Sequence, residues 1–165
     1  YRCAQTNRRI RMAAVRTTTI RNTNYETIIK YEGSSSDTAA TIDISTLASS
    51  QQARNSDTPT VNIVKLIASG LLTSGVLITR NGINILAAAP ENAPVVDLTQ
   101  NGISDNLQND KNIVITCSGA ASTGYIVLRK VTGWDSKVEN EKYGAYDDAT
   151  RVGASTTLSG SPDRT

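Results

Sequence analysis

Few side chains in this chain of 165 residues are suited to catalysis. The sequence contains no histidine and only two cysteines, Cys3 and Cys117. A histidine-assisted serine or cysteine nucleophile is therefore excluded, as are an imidazole metal site and a four-cysteine zinc site. The glycine patterns that cradle phosphates are also missing from the sequence. A pair of carboxylates is the catalytic arrangement that remains.

Three pairs of aspartates are close enough in sequence to be considered for acid–base chemistry: Asp37 with Asp43, Asp105 with Asp110, and Asp147 with Asp148. The second pair lies in a loop rich in Asn and Gln, but its spacing is not that of an EF-hand calcium loop. The third pair lies in a segment without periodicity, where two solvated carboxylates are the simpler interpretation. The sequence therefore predicts no enzyme, no bound metal and no cofactor.

Basic residues are concentrated at the N-terminus. The first 21 residues hold six arginines and no acidic residue, although the net charge of the chain is only +2. A basic segment on a net acidic body predicts contact with an acidic partner, and a solvated terminal segment is the alternative. The arginines are not interleaved with aromatic residues, so nucleic acid is not the expected partner.

Candidate partner-binding residues come from both ends of the chain. Arginine suits an acidic partner, and Tyr and Trp commonly anchor cores or interfaces because they combine a large apolar ring with a polar group. The candidates are Arg8, Arg9, Arg11, Arg16, Trp134, Tyr143 and Tyr146. The aromatic members also allow a sugar-binding platform as an alternative.

Short β-branched runs separated by turn residues make up most of the chain. Residues 25–31 alternate at period two, and Val61–Ile67 is apolar on both faces, as expected for a central strand. Asn81-Gly82, placed between two apolar runs, predicts a β-hairpin. No long amphipathic helix is indicated, and no apolar run is long enough to cross a bilayer. The pattern predicts an all-β single domain, a β-sandwich or a jelly-roll-like fold.

The predicted domain has an extension at each end. We expect a basic N-terminal arm over residues 1–13, a β-sandwich core over 14–132 and an extended C-terminal tail over 133–165. Met12-Ala13-Ala14 has the form of a translation start, so we assign no catalytic role to residues 1–11. Trp134 closely follows the last predicted strand, where it could close one end of the sandwich.

The order of segments resembles a group of small β-sandwich virion proteins from marine tailed bacteriophages, including those of cyanophages. The resemblance covers roughly residues 12–132. It is carried by Ile28–Gly33, Thr41–Leu47, Ile63–Ile67, Ile113–Cys117 and Tyr125–Val131, with Gly-Ala-Ala-Ser-Thr-Gly between the last two. The basic segment before Met12 and the tail after Thr132 depart from the pattern of that group.

The resemblance implies a capsid decoration (cement) protein or another structural component of the virion, made in the host cytoplasm. Its partners would be the major capsid protein or other virion proteins, together with further copies of itself in an oligomer or lattice, and no membrane. Three alternatives stay open: a glycan- or receptor-binding module of a head or tail fibre, a neck or tail component, and a coat protein whose arm touches packaged nucleic acid.

Overall fold

The computed structural model of the chain describes residues 13–54 and 58–136. Within these residues the chain forms eleven β-strands and one short 3-10 helix at Ile44–Thr46. The strands are β1 (Arg16–Asn22), β2 (Glu26–Gly33), β3 (Ala40–Ile42), β4 (Gln52–Arg54), β5 (Val61–Gly70), β6 (Gly75–Arg80), β7 (Ile83–Ala88), β8 (Val95–Asp97), β9 (Ile113–Ser118), β10 (Ser122–Lys130) and β11 (Trp134–Ser136).

Two antiparallel sheets form the body of the protein. One has five strands in the order β1-β2-β10-β5-β8, and the other has four in the order β3-β9-β6-β7. A small third pairing joins β11 to β4. One buried cluster contains residues of both large sheets, among them Ile29 and Leu66 of the first and Ile78 and Ile115 of the second. The architecture is therefore a β-sandwich, as the sequence predicted.

The alternation along β2 shows how the sequence sets the inner face. Thr27, Ile29 and Tyr31 are all buried, whereas the residues between them are only partly covered. Because directly paired residues in an antiparallel sheet point to the same side, Ile126 and Leu128 of β10 continue this inner face. Period two therefore predicted the buried side of the central strands correctly.

Gly124 of β10 is required by close packing in the middle of the sheet. A Cβ atom there would lie 1.9 Å from the carbonyl oxygen of Ile67 and 2.6 Å from the hydroxyl of Tyr31. The buried Tyr31 ring thus occupies the space that a side chain at this position would need.

The Asn81-Gly82 hairpin is confirmed. Both residues have positive φ, 50° at Asn81 and 76° at Gly82, which is the backbone that a two-residue type I′ turn requires. The turn reverses the chain between β6 and β7. The short 3-10 helix is capped by Asp43, whose Oδ1 accepts a hydrogen bond from the Ser45 amide at 2.9 Å.

Strand pairing continues beyond the predicted core boundary at residue 132. β11 begins at Trp134 and pairs with β4, which lies within the polar stretch of residues 49–58. Each of these strands has three residues, too few for a hydrophobic period to show. Tyr25, predicted to share the face of β2, lies instead in the turn before it and is 80% exposed.

Candidate functional site

The structure gives the aspartates of the predicted carboxylate pair different environments. The side chain of Asp105 is 6% exposed and lies 3.0 Å from Nη1 of Arg80, measured to its Oδ2. Asp110 is more exposed and pairs with Lys111. One carboxylate is thus held in an internal ion pair and the other in a surface pair, so neither is presented as a free acid or base. Asp37 and Asp43 serve locally, accepting amide hydrogen bonds from Ser34 and Ser45.

Arg80 is a fully buried cation between the two sheets. Its Nη2 donates to the carbonyl oxygen of Val61 at 2.7 Å, and its Nη1 donates to that of Gln108 at 3.1 Å. Burial lowers the pKa of Arg80 and raises the pKa of Asp105, while each charge opposes the shift of the other. The pair therefore fastens the loop between β8 and β9 onto the end of the sandwich.

Lys130 is a second buried cation at the same end. Its Nζ donates to Oδ1 of Asn22 at 2.8 Å, the carbonyl oxygen of Thr23 at 2.8 Å and Oε1 of Gln52 at 2.6 Å. These three acceptors are uncharged. Burial lowers the pKa of Lys130 from 10.5 to about 8. The lysine ties β10 to the β1–β2 turn and to β4.

Trp134 belongs to this closed end. Its indole ring lies beneath Nζ of Lys130, 5.1 Å from the ring centre, and its Nε1 donates to the carbonyl oxygen of Thr60 at 3.1 Å. The ring packs against the hydrophobic core. Trp134 is therefore engaged within the chain, and the aromatic side chains left exposed among the described residues include Tyr25 and Tyr125.

The pattern of alternating residues contained the signal for both buried cations. Arg80 follows Val76 and Ile78 at period two, and Lys130 follows Ile126 and Leu128 in the same way, so both fall on inner faces. We missed them because a charged side chain at the end of a strand is more often exposed than buried.

The most open part of the sandwich is the edge strand β1. Its residues Arg16 to Arg21 are all exposed, which includes side chains on both faces of the strand. Thr17 and Thr19 are paired with the buried Tyr31 and Ile29, so they point to the inner side, yet the second sheet does not cover them. Among the described residues, β1 is also the longest strand at a sheet edge.

Charged residues line the outer face of the sheet beside β1. Glu32 forms two ion pairs: its Oε1 lies 2.9 Å from Nη2 of Arg16, and its Oε2 lies 2.8 Å from Nζ of Lys30. The Lys30 contact lowers the pKa of Glu32 and raises that of Lys30. Because these groups are solvent-exposed, their pairing contributes little to stability and leaves the arginine free to exchange partners.

The predicted partner-binding residues fall in different places. Arg16 is exposed on β1, and Trp134 packs at the closed end. Arg8, Arg9, Arg11, Tyr143 and Tyr146 lie outside the described residues. The described chain begins at Ala13, beside Thr38, and ends at Ser136, paired with Gln52.

Residues 13 and 136 lie at opposite ends of the sandwich. Ala13 and Gly33 line the same cavity as Ser122, the first residue of β10. Trp134 lies beside Lys130, the last residue of β10. Since β10 has nine residues, these two ends are roughly 26 Å apart along the strand.

An aliphatic groove of about 260 Å³ forms a further exposed surface between β7 and the loop after β8. Its lining includes Ile83, Ile103 and Leu107, all at least half exposed. Exposed apolar residues grouped in this way are common where proteins contact one another.

The described part of the chain holds no cluster of three or more Cys, Asp or Glu side chains that could bind a metal ion. It also includes no helix of the length and apolar character needed to span a bilayer. Cys117 is a buried thiol, and burial raises its pKa. Comparison of the chain with protein-family models, curated proteins and solved structures yields no match.

Proposed function

We propose that this chain is a structural protein of a tailed-phage particle, a capsid decoration protein that bridges neighbouring subunits of the shell. The observation that carries the proposal is the position of Ala13 and Ser136, where the described part of the chain begins and ends. They lie at opposite ends of the sandwich, roughly 26 Å apart along β10. Two terminal segments that leave the body at opposite ends can each reach a different neighbour.

The body itself is suited to resisting mechanical force. One end is closed by two buried cations, Arg80 and Lys130, which donate hydrogen bonds to four other segments of the chain. Many copies on a shell act together, so individually weak contacts give a strong lattice. The basic N-terminal segment complements an acidic shell surface, and this part of the attraction decreases with added salt.

Co-sedimentation of the purified chain with empty, expanded capsids tests the proposal. We expect the chain to bind in a fixed ratio and to raise the temperature at which the capsids break. A triple replacement of Arg8, Arg9 and Arg11 by Ser should weaken binding. The matched control replaces three basic residues of the body by Ser, the partly exposed Lys65 and the exposed Lys111 and Arg129, and should bind nearly as the unmodified chain does.

Two results would contradict the proposal. Capsids that never retain the chain, at low as well as at moderate salt, would remove the decoration role. A cryo-electron microscopy map that places the chain at the neck or tail would assign it to another structural component of the particle.

A further inference from the structure

The free edge of β1 is a ready acceptor for another strand. On the side away from β2, the described residues supply no neighbouring strand to β1. Its outward N–H and C=O groups therefore form an unpaired row, the feature by which extended segments are recognised through strand addition. At the other described edges, β3 and β8 have three residues each, and β7 lies against β5 and β8.

The side chains of β1 are also uncovered on the inner side. Thr17 and Thr19 lie on the inner side, opposite the buried Tyr31 and Ile29, but remain exposed, so the second sheet does not cover them. Thr is favoured in strands and makes favourable cross-strand pairs. A strand added here would extend the five-stranded sheet and pair with these threonines.

Charge selects what kind of strand fits. Arg16 and Arg21 stand near the two ends of β1, with side chains 79% and 63% exposed. A second copy of β1 would bring four arginines together, and like charges in facing strands are destabilising. An acidic extended segment would instead place carboxylates beside them.

An acidic segment of this chain follows the sandwich in sequence. Residues 139–148 contain Glu139, Glu141, Asp147 and Asp148 against the single Lys142, a net charge of −3. The segment follows Ser136, at the end of the sandwich opposite to the N-terminal extension. The basic N-terminal segment, by contrast, has the same sign of charge as β1.

We propose that residues 139–148 of a neighbouring copy add to the free edge of β1 as a sixth strand of its sheet. The inference rests on the proposed bridging function, because it names the acceptor and the donor of one such bridge. Each copy then offers one acceptor at β1 and one donor after β11, so contacts run from copy to copy in a chain or closed ring.

A glutamate on the inner side of the edge tests the acceptor. Thr19→Glu puts a charge at the uncovered inner position, which blocks edge pairing and also repels an acidic donor strand. We expect self-association, measured by analytical ultracentrifugation and on capsids, to weaken about tenfold or more. The matched control is Thr116→Glu, at an exposed position of the central strand β9, which should associate as the unmodified chain does.

Disulfide trapping tests the donor. In a background with Cys3→Ser, one copy carries Thr18→Cys and another carries Tyr143→Cys, and the two are mixed under mild oxidation. We expect a disulfide between the unlike copies, and much less of it when Thr19→Glu is added to the first. Circular dichroism checks that each variant keeps its β-structure.

The possible outcomes separate the inference from the proposed function. Two outcomes would overturn the assignment of donor and acceptor. One is a disulfide that forms within a single chain carrying both cysteines at high dilution, and the other is a disulfide-linked dimer of the Thr18→Cys variant alone. Absence of any disulfide while the chain still binds capsids would overturn the inference and leave the decoration role standing. Failure of the unmodified chain to bind capsids would remove the proposed function itself.

Discussion

Lys130 is held by oxygen atoms from two distant parts of the chain. Asn22 and Thr23 belong to the end of β1 and the turn after it, and Gln52 begins β4. These hydrogen bonds offset part of the cost of taking the ammonium out of water, and the lowered pKa of Lys130 reflects the part that remains. The residue therefore joins three segments that local sequence does not bring together.

We expect Lys130→Met to destabilise the fold by about 2 kcal/mol, because three buried acceptors lose their donor. Urea unfolding followed by fluorescence measures the change. Lys111→Met is the control: Lys111 is exposed beside Asp110, so its removal should change the free energy of unfolding by less than about 0.5 kcal/mol. Equal effects of the two substitutions would contradict the assigned role of Lys130.

The same residue predicts a pH dependence. Burial lowers the pKa of Lys130 from its ordinary 10.5 to about 8 in the folded protein. The unfolded chain therefore binds more protons between these values, and the contribution of Lys130 to stability rises as the pH increases through that window. Below pH 8 both states are protonated and the contribution is smallest.

Comparing the free energy of unfolding of the unmodified chain with that of Lys130→Met isolates the effect of Lys130, since all other titrating side chains are common to both proteins. The stability difference between the unmodified chain and the variant should be larger at about pH 10 than at about pH 7. A difference that shrinks as the pH increases would mean that the fold prefers the charged amine, and would refute the lowered pKa.

At the scale of elements, the loop between β8 and β9 is positioned by one internal ion pair. Asp105 of this loop forms an ion pair with Arg80 at the end of β6. The carbonyl oxygen of Gln108 also accepts a hydrogen bond from Arg80, and that of Asn109 accepts one from the Val61 amide. The loop also forms one wall of the aliphatic groove. The placement of the loop thus depends on a cation supplied by β6, a strand that lies well before the loop in sequence.

Asp105→Asn should destabilise the protein by about 3 kcal/mol or more, because Arg80 would remain buried without a counter-charge. Asp110→Asn is the matched control and should change stability by less than about 0.5 kcal/mol, since Asp110 forms a surface pair. Thermal unfolding monitored by circular dichroism compares the two. A milder effect at Asp105 than at Asp110 would show that the loop is held by other contacts.

The short elements show where prediction from sequence ended. β2, β5, β9 and β10 were recognised because each is long enough to show alternation or a continuous apolar run. β4 and β11 have three residues each, and their pairing depends on Trp134 and Lys130 packing at the closed end. Such strands exist because of their neighbours, and no local pattern marks them.

For the whole molecule, the topology places sequence-distant strands side by side. β2 pairs with β10 along its whole length, although Glu26 and its partner Arg129 lie near opposite ends of the described chain. Closing such large loops before any contact is gained slows folding. We expect refolding in about milliseconds to seconds, as for other sandwiches.

Stopped-flow fluorescence provides the measurement, with Trp134 as the only tryptophan in the chain. Because its ring packs at the closed end beside Lys130, its signal reports the joining of β10, β11 and β4. Complete refolding within microseconds would contradict the expectation and would point to a body dominated by local contacts.

The sequence by itself determined the all-β class, the buried face of the central strands and the Asn81-Gly82 hairpin, because these follow from local period and turn chemistry. It also excluded histidine-based chemistry by composition. Only the tertiary structure decided that Arg80 and Lys130 are internal and that Asp105 and Asp110 have different partners. It also decided that β1 is uncovered on both faces. These features depend on where one sheet ends over another, which no spacing within a single strand can specify.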